Sequence, residues 1–338
     1  MLLWAFTSVY GQLSKVHYIP PLPSANISNG RYTFDSAYIY ISTPESLANF
    51  TIKPLGSPPS EWFTGSVTKT NSYKRLLDRE VMGAYTENFT STNVFNDKGY
   101  QIISDKEIYV SVRVKAENHA GAVVSKGLDG YGKRFRVAGM ERTGAGGDSS
   151  FFSIISTEDN NNISFVADRF LLTSKNTDLP TDLVLNKEEA FIVSFAGENI
   201  VKNIGTLITS TKDIVVTTGT MYGSFSNEII ESPDLSPYDN TNYFTGGDMG
   251  IDQLVSINPN VDAKEYIIVK GDSFNSIENA LIIADEDDTQ ININGVPYID
   301  PETRQQTLNA GDHFFIEGTS FSFFSVLKYM HLNSEKYI

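Results

Sequence analysis

Apolar and polar positions alternate along this chain in short bursts, and one plan recurs. An apolar run, a small residue, a cluster of acidic or amide residues and an alternating run follow one another. The segment "IIADEDDTQINING" (Ile282 to Gly295) shows it, as does "SIISTEDNNNISF" (Ser153 to Phe165). "YISTPESLANFTI" (Tyr40 to Ile52) is a looser version with Pro44 and Glu45 in the turn. A sister pattern, "IISDKEIYVSV" (Ile102 to Val112), is matched by "LITSTKDIVVTT" (Leu207 to Thr218). Period-2 or fully apolar runs broken by Asp, Asn, Ser and Lys predict hairpins. The order repeats too: "LNKEEAFIV" (Leu185 to Val193) follows the Asp159 turn, and "LNAGDHFFI" (Leu308 to Ile316) follows the Asp287 turn.

The turns recur roughly every 50 to 75 residues, with about four strands per interval, which marks a repeat architecture. From Glu265 the strands are "EYIIVKG", "NALIIAD", "TQINING" and "HFFIEG". The expected class is all-β, built from repeated antiparallel hairpins. Four strands per interval favour β-propeller-like blades. The alternative is tandem β-sandwich modules at a doubled period of ~110 to 130 residues. Two long connections interrupt the strands: Glu141 to Ser150, rich in glycine, and Glu228 to Gln253. Connections of that second length often carry function.

Composition narrows the class. Among 338 residues, 17 Tyr and 21 Phe favour strands over helices. The net charge of -15, with no basic stripe, argues against nucleic acid as a partner. The absence of cysteine removes disulfides, thiolate zinc sites and cysteine nucleophiles together. Leu2 to Tyr10 form a short apolar run ending at Gly11, so residues 1–11 read as a signal-peptide remnant. Residues 12–338 read as one repeat-built β domain that breaks off at its C-terminus. No later run reaches the ~18 apolar residues of a membrane span. The expected place is therefore secreted or at the cell surface.

The acidic run offers the one cofactor in the pattern. Asp285, Asp287 and Asp288 supply carboxylates suited to calcium, although the alternating spacing and distal Glu of a calcium loop are missing. The competing reading is a solvated hairpin turn, because "TEDNNN" holds the same place with fewer acids. No catalytic constellation stands out. The four His are far apart, "GAGG" (Gly144 to Gly147) lacks the Lys and Ser/Thr of a phosphate loop, and no Gly-x-Ser-x-Gly occurs. The chain is not expected to be an enzyme.

The ordered set "ISDKEIYVSVRV", "AGAVVSKG", "FFSIISTEDNNNISF", "GTLITSTKDIVVTTGT", "GIDQLVSI", "EYIIVKG" and "ALIIADEDDTQINING" resembles the N-terminal domain family of IgG Fc-binding protein. More closely, it looks like the bacterial relatives of that domain in large surface proteins of gliding Bacteroidetes. The resemblance implies an exported, non-enzymatic adhesion or recognition module in a longer multidomain chain, with an extracellular protein or glycan as partner. It carries no residue-level binding motif. From the residues themselves, the contact surface is placed in the long connection. Tyr238, Tyr243 and Phe244 offer rigid aromatic area there, with Asp248 and Asp252 beside them. The alternatives are a passive structural spacer and a carbohydrate-active enzyme with two facing carboxylates.

Overall fold

The structure is a computed structural model. It describes residues 12–24, 34–85, 94–116, 119–140, 142–143, 149–167, 179–196, 203–224, 248–257, 265–268, 278–299, 304–318, 322–326 and 330–333. The fold is all-β, with two nearly closed, barrel-like sheets.

One strand plan is used three times in succession. In the first unit, β1 (Ser14–Ile19), β2 (Ser36–Ser42), β3 (Ala48–Pro54), β4 (Phe63–Val67), β5 (Tyr73–Leu76), β6 (Tyr100–Ala116) and β7 (His119–Val124) make one sheet. The second unit runs through β8 (Tyr131–Arg136), β9 (Ser149–Ser156), β10 (Asn161–Val166), β11 (Leu183–Leu185), β12 (Ala190–Ala196), β13 (Leu207–Ser224) and β14 (Asp248–Gln253). Two short strands, Val94–Phe95 and Arg142–Thr143, extend its sheet. The third unit holds β15 (Glu265–Ile268), β16 (Glu278–Ala284), β17 (Ile291–Ile293), β18 (Val296–Pro297), β19 (His313–Gly318), β20 (Ser322–Val326) and β21 (Met330–Asn333).

The pairing is the same each time. The first half of β6 lies between β1 and β3, and its second half between β2 and β7. β13 is shared likewise, first by β8 and β10, then by β9 and β14. β20 lies between β15 and β17, and β21 pairs with β16. The β2–β5 pair recurs as β9–β12 and β16–β19. The β3–β4 pair recurs as β10–β11 and β17–β18.

Two expectations are corrected. The described strands do not form four-stranded propeller blades; they form tandem units on the doubled period, each organised about one long strand or its two halves. The sister pattern is also not a hairpin. "IISDKEIYVSV" lies inside the single strand β6, and "LITSTKDIVVTT" inside β13. The polar residues fall at the bend where each long strand changes partners. The pairing register shifts nearby, between Ser14 and Val16 opposite β6 and between Gly132 and Arg134 opposite β13. Asp105 and Lys106 are exposed at that bend. A polar break in an apolar run therefore looks the same whether the chain reverses or only bends.

Each unit closes the core of the one before it. Phe151, Ile192, Met221, Met249 and Ile251 of the second unit belong to the first unit's core, with Ile39, Phe50 and Val112. Phe152, Phe191 and Val193 face the other way, into the second unit's own core. That core is closed in turn by Leu281 and Ile283 of β16, while Ile282 and Ala284 face the third core. Strands β9 and β16 are thus buried on both faces, from Ser150 to Ser156 and from Ala280 to Ala284, and neither shows the alternation of a strand with one wet face.

The two junctions differ in chemistry. Between the first and second units, Tyr18, Leu55, Ile155, Ala190 and Val215 form an apolar cluster. Its rim carries a salt bridge from Lys53 Nζ to Glu188, 2.7 Å. Between the second and third units, the buried carboxylate of Asp285 is gripped by two guanidinium groups of β8.

Candidate functional site

The second unit carries the longest connection on a defined root. Gly223 lies opposite Asp248, Arg142 opposite Ser224, and Ser149 opposite Ala196. The connections 144–148, 197–202 and 225–247 therefore leave from one end of this unit's sheet. In the first unit the equivalent of 225–247 is only residues 117–118, between β6 and β7. Tyr238, Tyr243 and Phe244, together with Gly144 to Gly147, lie outside the described residues. Asp248 is the first residue of β14 and stands at this loop end.

Asp252, four positions further, is engaged elsewhere. It pairs with Lys126 Nζ at 2.9 Å on the boundary with the first unit. Burial pushes its carboxyl up from the ordinary range, and the Lys126 charge opposes that shift. The adjacent Gln253 ties the units together. Its amide donates to Tyr18 O at 2.8 Å, and its Oε1 accepts from Lys126 N at 2.7 Å. Ser125 Oγ stands 3.1 Å from the same Oε1 and 3.0 Å from His17 Nδ1. His17 Nε2 faces the carbonyl oxygens of Ser14 and Ile108, both at 3.1 Å, so the ring proton sits on Nε2. His17 is fully buried, and that burial lowers its pKa to about 4. Nothing in the spacing of His17, Ser125 and Gln253 along the chain signals that they meet.

The acidic run resolves into separate jobs. Asp285 is not the solvated turn residue expected of it. Its Oδ1 accepts from Arg134 Nη2 and Arg136 Nε, both at 2.9 Å, and its Oδ2 from Arg134 Nε at 3.2 Å. Arg136 also donates to the carbonyl oxygens of Asp285 and Gly205, both at 2.9 Å. Asp287 Oδ1 accepts from Ala310 N at 2.9 Å, as Asp159 Oδ1 accepts from Lys187 N at 3.0 Å in the second unit. Asp288 has a φ of 55°, matching Asn160 at 51°, so both fill a left-handed turn position that suits Asp and Asn. Two guanidinium groups already neutralise Asp285, so the three carboxylates do not fit a calcium ligand set. Among the described residues no group of three metal-ligating side chains converges.

A cleft of about 840 Å³ opens on the first unit beside β5. Phe63, Arg75, Leu76, Asp78, Glu80 and Tyr100 contribute to its walls. The Arg75 guanidinium carbon stands over the Phe63 ring, 3.4 Å from its centroid, and Tyr100 Oη accepts from Asp78 N at 3.0 Å. Leu76 is 54% exposed at the mouth. Among the described residues no helix is long and apolar enough to cross a membrane.

The family model of IgGFc binding protein matches residues 120–335, which span β7 from Ala120 onward and the whole of the second and third units. The chain belongs to that family. The family found for these tandem all-β units suggests an extracellular binding or recognition domain. No curated protein and no solved structure matches it.

Proposed function

We propose that the chain is a non-catalytic adhesion or recognition module of a larger, exported bacterial surface protein. It binds an extracellular protein or glycan through the loop end of the second unit. One observation carries this reading: the roots of three connections stand side by side on a sheet buried on both faces, so the loops issue from a rigid base. Within them, Tyr238, Tyr243 and Phe244 supply contact area, and Asp248 anchors the segment to β14. The unit-on-unit packing favours a second reading, a spacer that holds other domains apart.

Deleting Tyr238 to Gly247 tests the choice. The recognition reading expects an unchanged circular dichroism spectrum and melting temperature, with loss of binding on an array of glycans, mucins and extracellular proteins. A folded wild-type chain that binds nothing on that array supports the spacer. Binding that survives the deletion removes these three aromatic residues from the site.

A further inference from the structure

The repeated plan sets each position of the first unit beside a counterpart in the second, and one face departs from its counterpart. In the second unit, the outer face of β12, β9, β13 and β14 is covered by the first unit's core. Its contact residues there are Ile192, Phe151, Met221 and Ile251. The pairing registers set Lys74 at the place of Ile192, Tyr38 at Phe151, Lys115 at Met221 and Arg113 at Gly219. The first unit's version of this face is open: Lys74, Arg113, Lys115 and Tyr109 are exposed.

The exposed face is also held in shape. Lys74 Nζ stands 4.4 Å from the Tyr38 ring centroid and 5.5 Å from that of Tyr40. The Arg113 guanidinium stands 5.0 Å from the Tyr40 centroid. Cation–ring contacts fix long side chains that would otherwise sweep through solvent. The other outward positions in the paired stretch carry no charge: Ser36, Ser42, Ser111, Ala120, Ala122, Val124 and, opposite Tyr38, the exposed Leu76. None of the outward positions there is Asp or Glu, in a chain with 41 acidic residues. A face that served only solubility would share the acidic bias of the rest. The five salt bridges among the described residues involve none of these three cations.

We propose that this outer face of β5, β2, β6 and β7 binds an acidic polysaccharide. Arg113 and Lys115 lie two positions apart on one strand, about 7 Å, and Lys74 lies two strands away, about 10 Å. Three cations spread over that area, two of them held by tyrosine rings, suit an extended chain with repeating carboxylates or sulfates. The hydroxyls of Ser36, Ser42 and Ser111 are available to its sugar oxygens, and exposed Tyr109 to a ring face. Single-stranded nucleic acid fits less well, because bases need open aromatic faces and the cations already occupy those of Tyr38 and Tyr40. The surface is separate from the loop end of the second unit and does not depend on it.

The test uses the full chain over immobilised chondroitin sulfate, polygalacturonate and neutral dextran. Against its net charge of -15, the protein is retained on both acidic polymers and not on dextran. Salt of about 0.5 M releases it, since the contacts are solvent-exposed. Lys74→Gln/Arg113→Gln/Lys115→Gln lowers affinity at least about tenfold at an unchanged melting temperature. Lys115→Gln alone, away from the tyrosine stacks, lowers it less and guards against a folding defect in the triple variant. The Tyr238–Gly247 deletion leaves retention intact. The proposal is overturned if neither acidic polymer retains the wild type, if dextran retains it equally, or if the triple variant binds as well. A dimer that the triple variant dissociates, with no polysaccharide retention, would give the face to a second copy instead.

Discussion

Strands β2 and β9 hold the same station in successive units and meet opposite surroundings. β2, "SAYIYIS", alternates strictly between buried and half-exposed positions, with Ala37, Ile39 and Ile41 inward and Tyr38 and Tyr40 outward. β9, "SSFFSIIS", is buried at every position from Ser150 to Ser156. The backbone pairing is equivalent, so the difference lies in what covers the outer face. Phe151 enters the core of the neighbouring unit, whereas Tyr38 carries a lysine and faces water. Loss of alternation along a strand here marks a junction between units, not a change of fold.

The strongest way to break this comparison is to truncate the two side chains at the shared station. Phe151→Ala should destabilise the chain by about 3 to 5 kcal/mol in urea unfolding, and Tyr38→Ala by less than about 1 kcal/mol. Equal effects would mean that the outer faces are not differently covered. Next come the junctions. Asp285→Asn leaves two guanidinium groups facing a neutral amide, and one of them, on Arg136, is 5% exposed. The expected loss is about 3 kcal/mol, because Arg134 still reaches water. A variant as stable as the wild type would show that the ionic junction holds nothing.

Acid should act through the first junction. His17 takes up a proton less readily folded, at about 4, than its ordinary 6.5. Its contribution is full above pH 6.5 and is lost as pH falls toward 4. The loss amounts to about 3 kcal/mol, since each tenfold fall in proton affinity is worth about 1.4 kcal/mol. The part of the acid sensitivity that disappears in His17→Gln measures it, and an identical pH profile in the two proteins would refute it. The smallest effect belongs to the apolar junction's rim. Lys53→Met should cost about 0.2 to 1 kcal/mol, since its salt bridge to Glu188 remains partly open to solvent.

Much of this architecture was legible in the chain. The match of "STEDNNN" to "ADEDDTQ" is a match of structure: Asp159 and Asp287 accept equivalent amides, and Asn160 and Asp288 share a left-handed conformation. The strands after Glu265 appear as expected, in β15, β16, β17 and β19. The bend in β6 and β13 was the misleading feature. Counted as a turn, it halves the period and suggests blades; counted as a bend, it gives the tandem units. Asp285 was opaque for a different reason. Its partners Arg134 and Arg136 lie roughly 150 positions earlier, and alternation cannot show a contact between units. The cationic face of the first unit was hidden likewise. Lys74, Arg113 and Lys115 form no run along the chain, and only the register of β5, β2 and β6 assembles them.

The central claim is that each unit completes the core of the one before it, and a tryptophan tests it most directly. The chain has two, Trp4 and Trp62, and Trp62 lies in the first unit. In a Trp4→Phe background, Trp62 fluorescence reports unfolding of the first unit alone. Phe151→Ala, a change made in the second unit, is predicted to lower the urea midpoint read at Trp62 as much as the midpoint read by circular dichroism. A Trp62 midpoint left where it was, while the rest of the chain unfolds earlier, would contradict the claim.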